Sequence, residues 1–198
     1  MSQDVSVRGC GAAARLAVPP DNRPMPIRTM TSLLAIGLAA TACSPSRDWR
    51  ELHPEGSSLR AQFPCKPDRH QREVRLAGRT VRMDMLVCHD RGATFALAFA
   101  DVADPGAVAL ALDELRAAAV GNVKAAAVHE TALAVPGMTP NPRAVRLQFD
   151  GQRPDGTPVQ EQVGLFAYGM RVYQATVLAS RLQPAEADTF LGALRVSP

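Results

Sequence analysis

Aromatic side chains are scarce in this chain: one Trp, two Tyr and six Phe among 198 residues. Sequence-tolerant binding of single-stranded nucleic acid relies on aromatic stacking platforms, so that class is disfavoured from the outset. Catalytic and phosphate-binding patterns are missing as well. There is no Gly-rich phosphate loop, no Gly-x-Ser-x-Gly elbow and no His-Glu-x-x-His pair. The four histidines, His53, His70, His89 and His129, are scattered without a partner at a meaningful spacing. No nucleophile can be matched with a base, so the chain is not expected to be an enzyme. Neither a cofactor nor a metal ion is expected. No apolar run reaches the roughly 20 residues that a membrane-spanning helix needs.

What is present begins with residues 28–43, RTMTSLLAIGLAATAC. One cation precedes an apolar stretch from Met30 to Ala42, small residues stand before the break, and Cys43 follows. The next residues, Ser44-Pro-Ser-Arg-Asp48, are polar and hold a helix breaker. The apolar length is that of a secretory signal, not of a span. Ala40-Thr41-Ala42-Cys43 resembles the lipobox of bacterial lipoprotein precursors, although Ala40 stands where that family usually has Leu, with Leu38 two residues earlier. The resemblance implies cleavage before Cys43, a fatty-acylated thiol there and attachment to a membrane of the cell envelope. By the family's sorting rule, Ser44 after the cysteine implies the periplasmic face of the outer membrane in a Gram-negative cell.

Residues 1–24 lack any periodicity that would support a helix or strand, and Met25-Pro-Ile-Arg-Thr-Met30 alone forms a compact export n-region. Translation is therefore expected to start at Met25, with 1–24 a disordered extension and 25–42 the signal. Removing Arg8, Arg15, Arg23 and Arg28 together with Asp4 and Asp21 lowers the net charge from +3 to +1. Such a balance creates no global field to recruit nucleic acid. Residues 43–57, rich in Pro, Ser, Gly and charge, are expected to be a flexible tether, and 58–198 a single domain.

With Cys10 in the extension and Cys43 acylated, Cys65 and Cys88 remain. Two thiols in an oxidising compartment are a disulfide candidate, worth roughly 3 kcal/mol for a loop of about 24 residues. Two free buried thiols are the alternative. A metal site with His70 and His89 is disfavoured, because adjacent strand residues Cys88 and His89 point to opposite faces.

Periodicity places the elements. Leu59 to Phe63 is a short strand ended by Pro64. Gln71 to Leu76 and Arg79 to His89 flank Ala77-Gly78, a hairpin signature. Val81, Met83, Met85 and Val87 alternate with polar residues. Ala93 to Val102 sets Phe95, Leu97 and Phe99 on one face and alanines on the other, as in a strand covered on both sides. Asp104 and Pro105 suit the start of a helix with Val108, Leu112, Leu115 and Ala119 at helical spacing, ending near Gly121. Asp113 and Glu114 fall on its expected solvent face. A strand at Ala126 to Val135, a loop at 136–142, and strands around Val145–Phe149, Val159–Ala167 and Met170–Leu178 follow. Pro184 opens a last helix with Ala187, Phe190, Leu191 and Leu194 as its apolar stripe.

The predicted class is α+β, an antiparallel β-sheet of about eight strands with helices packed on it. Leu59-Arg-Ala-Gln-Phe-Pro-Cys-Lys-Pro67 resembles the opening strand of the PsbP/Mog1-like α/β/α sandwich. Arg171-Val-Tyr-Gln-Ala-Thr-Val177 and Asp188-Thr-Phe-Leu-Gly-Ala-Leu-Arg195 resemble its closing strand and helix. That resemblance spans about Leu59 to Val196 and implies a docking module without catalytic residues.

One charged feature stands out. Lys66, Arg69, Arg72, Arg75, Arg79 and Arg82 crowd the predicted hairpin, opposed mainly by Asp68 and Glu73. They read either as a basic surface for an anionic envelope partner, protein or lipid, or as charges that guard a sheet edge against aggregation. Two functions are expected from these observations. The first is a non-catalytic interaction or scaffolding lipoprotein; the second is a small-ligand carrier with a pocket between sheet and helices.

Overall fold

A strand covered on both sides is where the architecture starts. In β5 (Ala93–Asp101) Phe95, Leu97 and Phe99 point to one face and Ala96, Ala98 and Ala100 to the other. The computed structural model describes residues 47–197; the extension, the leader, Cys43 and Ser44 lie outside the described residues. Before β5 come β1 (Arg50–Leu52), β2 (Leu59–Phe63), β3 (Asp68–Leu76) and β4 (Arg79–Asp90). After it come α1 (Ala107–Asn122), β6 (Val128–Ala132), β7 (Val145–Gln152), β8 (Pro158–Tyr168), β9 (Arg171–Ala179), α2 (Pro184–Gly192) and β10 (Arg195–Val196). Among the described residues no helix is long and apolar enough to cross a membrane.

Seven strands form one antiparallel sheet in the order β3-β4-β5-β9-β8-β7-β6. A second sheet of three strands runs β1-β2-β10. The fold is thus mostly antiparallel sheet with two helices, an α+β architecture. One face of the large sheet packs on α1 through Val108, Ala111, Leu112, Leu115 and Ala119 against Val145, Leu147, Val163, Leu165 and Val172. The other face carries α2 and the small sheet, with Phe63, Phe95, Phe166, Tyr173 and Phe190 at its centre. The few aromatics are concentrated there: Phe63 and Phe190 meet edge to face at 5.2 Å, and Phe166 stacks on Tyr173 at 4.8 Å.

Several boundaries differ from expectation, each for a local reason. The expected tether ending at residue 57 gives way to packed chain: Arg47 is 5% exposed and β1 pairs with β2. A three-residue strand carries too little alternation to be read from sequence. The large and small sheets together hold ten strands instead of about eight, because β1 and β10 are so short. Helix α1 starts at Ala107, and Asp104 accepts the Ala107 amide from three residues upstream. At the β3–β4 hairpin Ala77 and Gly78 have φ of 49° and 77°, the pair of positive angles that a tight hairpin demands.

Cys65 and Cys88 form a disulfide, with Cα atoms 5.9 Å apart. It fastens the chain leaving β2 to β4 and so ties the small sheet to the large one. The bond also consumes both thiols, which rules out the free-thiol and metal readings of these two residues.

Candidate functional site

Helix α1 does not cover its whole face of the large sheet. Its end is pinned over β7, where Gln152 donates to the Val123 carbonyl at 2.7 Å. Gly151 makes that approach feasible, since a Cβ there would meet the Val123 oxygen at 2.4 Å. With the helix held over β7, β8 and β9, a cleft opens between its other flank and strands β3 to β5.

The cleft has a volume of about 250 Å³. Met83 and Met85 of β4 and Ala96 and Ala98 of β5 form its floor, with Gln174 and Thr176 of β9. Leu115, Ala118 and Asn122 form the helical wall, and Val74, Leu76, Arg72 and Arg75 of β3 form the outer rim. The alanines create the space: on the opposite face of β5 the same strand carries Phe95, Leu97 and Phe99, which are buried in the other core. Methionine suits such a floor because its flexible thioether adapts to irregular shapes.

Glu114 also lines the cleft and accepts the Ala77 amide at 2.7 Å. The expected solvated face holds for Asp113, which is exposed, and is corrected for Glu114, which is half-buried. Glu114 buttresses the hairpin turn, and Asp113 pairs with Arg143 at 2.7 Å. Both partners are far off in sequence, which is why periodicity missed them.

The six cations of the hairpin region do not share one surface. Arg72 and Arg75 rim the α1 cleft. Arg69 and Arg82 line a second, polar cleft of about 440 Å³ on the other face with Glu55, Asp84, Asp101 and Arg171. Arg79 opens β4 at the turn and Lys66 lies in the β2–β3 connection. Strand β3 is an edge of the large sheet, the position where charge blocks unwanted strand addition.

The polar cleft is internally neutralised. Arg69 reaches Glu55 at 2.9 Å and Asp84 at 3.1 Å, and Arg171 reaches Asp101 at 2.6 Å while lying 5.6 Å over the Phe99 ring. Burial works against ionisation of Asp84, but hydrogen bonds from Gln71 and Arg69 outweigh it and its pKa is lowered. Three acids already serve the cations there, so the first cleft is the one with unspent binding capacity.

One buried acid stands apart. Glu161 of β8 is 5% exposed, in register with Phe149 of β7 and Leu178 of β9. Burial pushes its carboxyl up to about 7. Val159 and Val163, two residues away on each side, share its face. No base–nucleophile pair accompanies it. His53 rests on Glu51 at 3.1 Å and His89 on Thr94 at 3.0 Å, both exposed. Among the described residues no three His, Cys, Asp or Glu side chains converge on a metal position. No protein-family model matches the chain, and no curated protein matches it.

Proposed function

We propose that this chain is a lipid-anchored, non-catalytic protein of the cell envelope that binds a small amphipathic anion in the α1 cleft. The observation that carries the reading is the cleft itself: an apolar floor of Met83, Met85, Ala96 and Ala98 beneath a rim bearing Arg72 and Arg75. A ligand with a short apolar segment and one anionic group satisfies both halves. Its volume of about 250 Å³ lies just under the roughly 300–1,000 Å³ of drug-sized sites, which suits a short chain or single ring more than a whole lipid.

The anchor rests on the lipobox-like Ala40-Thr41-Ala42-Cys43 and on Ser44, which together favour the periplasmic face of the outer membrane. The disulfide supports an oxidising compartment. The three layers, with α1 on one face of the sheet and α2 on the other, favour the PsbP/Mog1-like sandwich, whose members act mainly by docking.

The ligand reading is tested with 1-anilinonaphthalene-8-sulfonate, an apolar ring system with one negative charge. Saturable fluorescence enhancement is expected, displaced by short-chain fatty acids and lost in Ala98→Leu, which fills the floor. An enhancement that survives Ala98→Leu in a protein of unchanged circular dichroism would contradict the site. The anchor is tested separately by mass spectrometry of the mature amino terminus, where Cys43 should carry a diacylglyceryl group.

A second reading, a scaffold for an envelope protein, is favoured by the nine-residue edge strand β3, to which a partner strand can add. Crosslinking in intact envelopes should then capture one protein, and reversing the charges of Arg75 and Arg79 should weaken its capture.

A further inference from the structure

In an antiparallel sheet every second connection lies at the same end. One end of the large sheet here gathers residues 64–67, 91–92, 123–127, 153–157 and 180–183. These connections carry Lys66, Arg91, Lys124, Arg153 and Arg181 against a single acid, Asp155. The opposite end gathers residues 77–78, 102–106, 133–144 and 169–170, with one cation, Arg143, and one acid, Asp104. Among the described residues none of the five cations forms an ion pair. Three further acids stand at the same end: Asp90, which closes β4, and Glu186 of α2 share Arg47, and Asp68 opens β3, so the cations still outnumber the acids there.

The chain enters the domain at this cationic end. Arg50 of β1 is in register with Phe63, next to the Cys65 that is bonded to Cys88 near the end of β4. Just before it, the Arg47 side chain is buried between Asp90 and Glu186 and lies 5.1 Å over the Phe95 ring. Trp49 meets the same ring edge to face at 5.6 Å. The point of entry is therefore fixed on the sheet.

The geometry points to an anionic bilayer as the surface on which this end of the domain rests; the inference builds on the lipid anchor proposed at Cys43. Only Ser44, Pro45 and Ser46 separate Cys43 from Arg47, so even fully extended chain reaches about 14 Å. Roughly 5–7 Å of that is the depth of the headgroup layer. What is left is about one Debye length at physiological salt, ~8 Å. An acylated Cys43 thus holds the entry point at Arg47 within electrostatic range of the headgroup phosphates, and the five loop cations lie at the same end of the sheet. The opposite end, whose connections carry one cation and one acid, and the rim of the α1 cleft at Arg75 and Leu76 point away from the membrane.

The test uses the mature lipoprotein, shown by mass spectrometry to carry the acyl group, in vesicles of phosphatidylcholine and phosphatidylglycerol in equal parts. A fluorophore is placed through Gln183→Cys at the cationic end or Met170→Cys at the other, and quenched by lipids with nitroxide headgroups. Quenching at position 183 should exceed that at 170 several-fold. The difference should shrink in phosphatidylcholine alone and in the Arg91→Glu, Arg153→Glu, Arg181→Glu triple variant. If that variant misfolds, the corresponding Gln variants serve. Equal quenching at both positions in acylated protein overturns the orientation while leaving the anchor intact. Absence of the acyl group overturns the anchor, and the orientation with it.

Discussion

Arg47 donates a 2.8 Å charge-assisted hydrogen bond to Glu186, joining the first described residue to the start of α2 across 139 positions of sequence. The bond to Glu186 raises the Arg47 pKa against the desolvation that opposes it, so the guanidinium is charged at any relevant pH.

Removing one partner of a buried ion pair is costly, because the other charges stay behind. Arg47→Met should lower stability by about 3 kcal/mol, read as a lower urea midpoint. Trp49, the single Trp of the chain, reports the local step. Its emission should shift to the red at urea concentrations where circular dichroism is still native. Coincident transitions in the variant would show that β1 is not held by Arg47.

The disulfide should contribute about 3 kcal/mol, given a sequence separation of 23 between its ends. A Cys65→Ser, Cys88→Ser variant, or the wild type in reductant, should unfold at correspondingly lower denaturant. An unchanged midpoint would mean that the crosslink does not restrict the unfolded chain.

Glu161 should make stability fall as pH rises. Its folded-state pKa of about 7 exceeds the ordinary 4.5, so between those values the folded chain holds a proton that the unfolded chain has released. Stability is then fully present below about pH 4.5 and lost progressively up to pH 7, by about 3 kcal/mol in all. Glu161→Gln should flatten this slope and be the more stable protein at pH 8. A wild-type profile that is flat, or rises with pH, across this window in excess of the Gln variant contradicts the assignment.

Ala77 adopts φ of 49° in the β3–β4 turn, a region that disfavours a Cβ by roughly 1 kcal/mol. Ala77→Gly should raise the melting temperature by about 2–4 °C, despite the greater freedom of glycine in the unfolded chain. A lowered melting temperature would mean that this freedom outweighs the relieved strain.

Much of the large sheet was legible because alternation is local. Val145, Leu147 and Phe149 announce β7, and Ala77-Gly78 announces the hairpin. The double-sided β5 was legible too, since bulky and small residues alternate without a polar face. The hairpin cations carried a signal that was easy to misread: Arg69 and Arg72 stand three residues apart, and on a strand of period two an odd spacing sends them to opposite faces, one to each cleft. Glu114 and Glu161 were illegible as special residues. One gains its role from a turn 37 positions away, the other from the burial of its strand.

By itself, then, the amino-acid sequence determined the strand alternation, the turn at Ala77-Gly78, the helix opened by Pro184 and the class of the fold. All of these depend on residues within a few positions of one another. Only the tertiary structure decided that Cys65 meets Cys88, that α1 leaves a cleft over Ala96 and Ala98, and that five distant loops bring their cations to one end. Those outcomes follow from strand order and from where a helix is pinned, and a linear pattern of side chains encodes neither locally.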